Sequence, residues 1–216
     1  MNFKTLLLFS LLICTGQFFA NGQTFCPTNI DFELGTTADW NYFRGIVTGT
    51  TTTGPFYTLT SCAAIPGMHA LTSGVTTDHY GGFPVVAPGG GSYSMKLGHD
   101  STAQCAERAL YYVHIPTGTT SYSLVYHYAA VLENPAVIPA HTANQMPRLV
   151  VDAYDSASTT AIPCISYTYV ASATLPGFVH SSVTSTVSGN GTDVYYKPWT
   201  TGNMKFPGLN GHCSSI

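Results

Sequence analysis

Ten acids, eight histidines and six cysteines are the groups in this 216-residue chain that could do chemistry. Asp78 and His79 lie in Thr77-Asp-His-Tyr-Gly-Gly82, and His99 lies in Gly98-His-Asp100. Glycine-flanked loops let a ligand approach the backbone closely. Asp78, His79 and His99, with His141 in a second long connection, are therefore the candidate ligand-binding residues. The plainer reading of each histidine is a hydrogen-bonded or exposed imidazole. Asp31 and Glu33 flank Phe32. On an extended strand the two carboxylates would share a face while Phe32 points to the core. Two hard oxygen donors so placed could supply part of a Ca²⁺ site, which takes six to eight oxygens. A solvated strand face beside a buried Phe is the alternative.

Catalytic signatures are missing. The chain has no G-x-S-x-G, H-E-x-x-H, Walker loop or dinucleotide fingerprint. Glycoside hydrolysis needs two carboxyls a few ångströms apart, and neither Glu107 nor Glu133 has a neighbouring acid in sequence. These absences point to a non-enzyme.

The compartment comes from the first residues. Lys4 supplies a positive start, Thr5 to Cys14 an apolar run, and Ala20-Asn21-Gly22 a small-x-small cleavage site. Residues 1–22 read as a signal peptide and 23–216 as one domain that folds outside the cytoplasm. An acylated Cys14 is the rival reading, and Ile13 before it fits that poorly. Cys14 leaves with the leader, so Cys26, Cys62, Cys105, Cys164 and Cys213 remain as disulfide candidates with their pairing open. The odd count implies a free thiol, an intermolecular bridge or a partner elsewhere. The cysteines contain no C-x-x-C pair, which argues against zinc.

Composition narrows the class further. The hydrophobic share is 44%, ordinary for a globular protein, but the charged share is only 8%, with hydroxyls, Gly and Tyr in its place. Such a surface suits an extracellular β-protein. Net charge is −3 with seven scattered Lys and Arg, so no basic stripe exists to neutralise phosphates. No segment reaches the roughly 20 apolar residues of a membrane span.

The elements that must position these groups are strands. Residues 121–133 alternate Tyr122, Leu124, Tyr126, Tyr128 against Ser123, Val125, His127. Similar patterns predict strands over 30–34, 42–47, 93–97, 106–115, 148–154, 165–171 and 194–199. Residues 48–91 and 134–146 read as long loops, where binding usually sits. The fold class is all-β, an antiparallel β-sandwich of jelly-roll, galactose-binding-like type. Trp40, Tyr42, Phe43, Phe56, Tyr57 and Trp199 could stack on sugar rings, with the core the better expectation for the two tryptophans. Asn190-Gly-Thr192 matches an N-glycosylation sequon.

The order of motifs is distinctive. It runs Asn29-x-Asp-Phe-Glu-x-Gly35 with Trp40, then Gly91-Ser-Tyr-Ser-Met-Lys-Leu-Gly98 and Ala106-Glu-Arg108. Tyr126-His-Tyr-Ala-Ala-Val-Leu-Glu-Asn-Pro135, His141, Gln145-Met-Pro-Arg148 and Tyr196-Lys-Pro-Trp199 follow. This resembles the N-terminal domain of large secreted surface proteins of the Bacteroidetes, over nearly the whole mature chain. Those proteins are exported by type IX secretion, often carry polycystic-kidney-disease-type repeats, and end in a gliding-motility-associated sorting domain. Asp-Phe-Glu-x-Gly followed by Trp also opens many carbohydrate-binding and MAM-like jelly rolls. In those jelly rolls the Glu helps hold a structural calcium with an acid on the last strand, which implies Glu33 and, less directly, Asp31 as a half-site here. The resemblance also implies adhesion or polymer binding, with any catalysis in other domains. The departure is at Gly208-Leu-Asn-Gly-His-Cys213-Ser-Ser-Ile216, which stops where the family's closing strand should start. The expectation is thus a C-terminally truncated domain lacking that strand and its calcium acid. Asp100-Ser-Thr and Asp155-Ser-Ala resemble the family's O-glycosylation sites.

The leading expectation is a non-catalytic secreted cell-surface module for adhesion or glycan binding within a larger protein. A purely structural spacer, whose long loops would pack on themselves, is the first alternative. An accessory domain of a secreted hydrolase, or a hidden glycosidase using Glu107 and Glu133, is the second.

Overall fold

The computed structural model describes residues 27–215 apart from 52–53, 100–104, 117, 120, 135–140, 143–144, 157–159, 163–164, 172–175, 186–192 and 208–212. The leader, Cys26, Cys164, Asp100-Ser-Thr and the 190–192 sequon lie outside the described residues. All described regular structure is strand: β1 (Trp40–Thr51), β2 (Gly54–Cys62), β3 (His69–Ser73), β4 (Tyr93–Leu97), β5 (Cys105–His114), β6 (Ser121–Asn134), β7 (Arg148–Val151), β8 (Tyr154–Asp155), β9 (Thr160–Ala161), β10 (Tyr167–Val170), β11 (Val179–His180), β12 (Asp193–Pro207) and β13 (Cys213–Ser215). Every pairing between them is antiparallel. No helix among the described residues is long and apolar enough to cross a membrane.

The strands form a β-sandwich. One sheet has six strands in the order β2-β1-β5-β13-β8-β9, and another has three in the order β11-β12-β6. Two hairpin sheets, β3-β4 and β10-β7, complete the set. The core fills the space between the two larger sheets. Tyr111, Val113 and Ile115 enter it from β5 and the residue after it, and Tyr122, Met204 and Phe206 from β6 and β12, with Ala153 and Ile165 beside them. Alternation explains the choice. Along β5 the odd residues Tyr111 and Val113 are buried while Arg108, Tyr112 and His114 are exposed, as period two requires. On the opposing sheet Tyr122 pairs with Phe206 and Leu124 with Met204, so each cross-strand pair inserts two apolar groups. Each fully buried side chain of this kind stabilises the fold by roughly 1.5–3 kcal/mol.

Two expectations change. Residues 30–34 are not a strand but part of a chain of turns from 28 to 36, because Asn29 and Phe32 adopt left-handed φ of 54° and 64°, which a strand cannot hold. The 48–91 connection is not one loop. It contains β2, which pairs with β1 from Tyr42↔Cys62 to Thr51↔Gly54, and β3, paired with β4. Near the C-terminus, Cys213–Ser215 pairs between β5 and β8.

Candidate functional site

The Asn29–Glu33 segment is a knot of hydrogen bonds. Asn29 Nδ2 donates to Ala38 O at 2.8 Å and to Thr36 O at 3.1 Å, and Asn29 Oδ1 accepts from Leu34 N at 3.2 Å. Trp40 Nε1 donates to Asn29 O at 3.0 Å, and the indole stacks on Phe32 with centroids 4.6 Å apart. Tyr111 Oη reaches Thr28 O at 2.6 Å. Asp31 Oδ1 accepts from Glu33 N at 3.2 Å. The Glu33 carboxylate accepts from Ser92 N at 2.8 and 3.0 Å and from Tyr93 N at 3.0 Å. Gly91 holds φ +105°, a conformation other residues rarely adopt, and a β-carbon there would push the Glu33 carboxylate aside. The shared strand face argued for Asp31 and Glu33 therefore does not exist. The two carboxylates serve different backbone amides, and neither joins a group of three potential metal ligands among the described residues.

Asp78 also has a structural task. Its Oδ1 accepts from Gly81 N at 2.7 Å and Tyr80 N at 3.0 Å, an Asx turn. Asp78 N donates to Phe83 O at 2.8 Å. The loop is pinned to the three-stranded sheet by Ser181 Oγ to Tyr80 O at 2.8 Å and Trp199 Nε1 to Pro84 O at 2.6 Å. His79 is exposed, with its ring against the edge of Tyr80. His141 is half-buried, and burial lowers its pKa below the usual histidine range. Neither histidine joins a group of three potential ligands among the described residues.

His99 does join such a group. With Cys105 and Glu107 it brings a ring nitrogen, a thiol sulfur and a carboxylate oxygen all within 4.8 Å of one another. Cys105 and Glu107 are alternate residues of β5 on the face that carries Tyr111 and Val113, so strand periodicity aims both inward. His99 arrives from the segment after β4, where Gly98 N donates to Met68 O at 3.0 Å. Its Nε2 stands 3.8 Å from Glu107 Oε1, and the two side chains are 17% and 12% exposed. The sequence points to His99 as a ligand-binding residue, Cys105 as a disulfide candidate and Glu107 as a possible glycosidase acid, but does not join the three. Cys-x-Glu at strand spacing is a legible signal, and the approach of His99 to it is not.

The cysteines Cys62 and Cys105 are both thiols. They cannot bridge each other. Cys62 pairs with Tyr42 and Cys105 with Ile46, which places them two strands and four residues apart, about 16 Å, against a disulfide limit near 7 Å. Cys213 is placed in β13 by its backbone.

The opposite face of the six-stranded sheet is aromatic. Phe43 pairs with Arg108, whose guanidinium lies 4.3 Å from the ring centroid. Tyr112 shares that face at 53% exposure, and through Ser215 its row continues to Tyr154. Tyr154 has its pKa raised, first by burial and then by the Asp152 charge, with Arg108 opposing. A second aromatic contact joins β6 to β10, where Tyr128 Oη and Tyr169 Oη are 2.5 Å apart and their rings stack at 5.4 Å. Glu107 and Glu133 do not meet. Glu107 is on the core side of β5, whereas Glu133 is on the outward side of β6 with Oε1 3.5 Å from Tyr80 Oη. No family model matches this chain, and no curated protein or solved structure matches it.

Proposed function

We propose that the chain is a non-catalytic, exported cell-surface module of jelly-roll type that adheres to a glycan or similar polymer. The binding surface in this reading is the outer face of the six-stranded sheet. Its carrying observation is the row Phe43–Arg108–Tyr112–Tyr154, aromatic and cationic side chains projecting from neighbouring strands away from the core. Flat rings match the C–H faces of sugar rings, and a guanidinium held over a ring is already ordered to donate to hydroxyls or carboxylates. The likeness to type IX-exported surface proteins supports the setting within a larger adhesin.

Retention on a panel of insoluble polysaccharides tests the reading, with Tyr112→Ala and Arg108→Ala compared against the parent. Both positions are exposed, so the fold survives their loss. Retention of the parent, weakened in both variants, is the expected outcome. Equal retention of all three, or none on any polymer, refutes it. One observation favours a structural spacer instead: the 74–92 loop satisfies its own backbone and locks onto β12 through Trp199. The flat result on every polymer is what that second reading requires.

A further inference from the structure

The geometry points to a transition-metal site at His99, Cys105 and Glu107, of the kind that takes Zn²⁺. Three observations converge. The first is the donor set. Imidazole, thiolate and carboxylate together are the ligands of a borderline cation, and a hard cation such as Ca²⁺ has no use for sulfur. The second is spacing. Tetrahedral zinc with bonds of 2.0–2.3 Å holds its ligand atoms about 3.3–3.6 Å apart. The His99–Glu107 pair stands at 3.8 Å and the whole group lies within 4.8 Å, so small side-chain rotations close the site. The third is desolvation. Glu107 Oε1 is buried and has no hydrogen-bond partner among the described residues, a cost that a central cation removes.

The charge also balances. A thiolate and a carboxylate contribute two negative charges, and a divalent cation cancels them. Arg44 is the cross-strand partner of Glu107 but is exposed, and among the described residues no ion pair of 4 Å or less joins the two. Three protein ligands leave a fourth position for water or a further donor. Protons compete for the same atoms, so affinity falls as the pH is lowered.

The probe is Co²⁺, titrated into the reduced, metal-free full chain. One equivalent should give tetrahedral ligand-field bands and a thiolate-to-cobalt charge-transfer band, both erased by Zn²⁺. Cys105→Ser should lose the charge-transfer band, while Cys62→Ser should keep it. Glu107→Gln should weaken binding by at least the roughly 10- to 100-fold that loss of even an outer-shell partner costs. A second measurement needs no variant. Zn²⁺ should slow alkylation of Cys105, read by peptide mass spectrometry, and leave Cys62 unchanged. Absence of the thiolate band in the parent, its loss in Cys62→Ser, or alkylation of Cys105 indifferent to Zn²⁺ overturns the site.

Discussion

Replacing Asn29 by Ala removes the centre of the knot that ties the chain's first described turns to β1 and β5. Asn29 is 5% exposed, and its amide donates at 2.8 and 3.1 Å to two carbonyls, more weakly at 3.5 Å to Thr36 Oγ1, and accepts at 3.2 Å. A net of about 1 kcal/mol for each of the two shorter bonds gives about 2 kcal/mol. The left-handed φ of 54° adds about 1 kcal/mol, because Asn tolerates that region and Ala does not. The total is about 3 kcal/mol, or about 6–12 °C in Tm for a domain of this size. Asn29→Gly is the discriminating companion. It loses the same bonds but keeps the left-handed backbone, so it should be about 1 kcal/mol more stable than Asn29→Ala, the reverse of the usual order. Urea unfolding followed by tryptophan fluorescence reads both, since Trp40 donates to the Asn29 carbonyl. An Ala variant as stable as the Gly variant, or a loss below about 1 kcal/mol, refutes the reasoning.

Three further outcomes are expected. Tyr42 is buried and its hydroxyl has no partner among the described residues, so Tyr42→Phe should match or exceed the parent by about 1 kcal/mol. Burial also pushes Tyr42 up to about 12 from the ordinary 10. The folded state thus favours its protonated form, and stability is full below pH 10 and falls as the pH rises towards 12. Urea midpoints at pH 9 and 11 should show a smaller alkaline loss in the Phe variant, and a larger one contradicts the assignment. Gly202 lies opposite Tyr126, and a β-carbon there would overlap the ring. Gly202→Val should therefore cost roughly 1–3 kcal/mol in a thermal melt, and an unchanged Tm would show that the ring swings aside freely. For Ca²⁺, the amides that occupy Glu33 predict weak or absent binding at Asp31 and Glu33. Tight stoichiometric heat in a calorimetric titration, abolished by Glu33→Gln, would reverse that.

Strands that cross the core were legible because burial writes an alternation into them. β4 has the bounds the sequence predicts, and β6 differs from its prediction by one residue. The sequence predicts β12 over 194–199, whereas the strand runs on to Pro207. The sequence hides this continuation behind Pro198 and Gly202, and a register shift between Lys197 and Thr200 absorbs the break. β2 was missed for a different reason. Much of it is exposed, so its Thr-rich run carries no apolar period. Its pairing with β1 is a tertiary fact that local pattern does not encode.

The same distinction decides where the chemistry lies. Asp31-Phe-Glu33 alternates like a strand, yet the positive φ at Phe32 has no signal in residue type, since a large side chain seldom adopts it. Once the backbone turns there, the Glu33 carboxylate meets the amides of Ser92 and Tyr93 instead of sharing a strand face with Asp31. Cys105 and Glu107 show the converse. Their spacing of two is on a true strand, so both side chains reach one side of β5, where His99 joins them. Neighbouring acids in a turn are aimed by local backbone bonds, whereas alternate residues on a strand are aimed by the sheet itself. For that reason the separated trio, rather than the compact acidic motif, carries the proposed cation site.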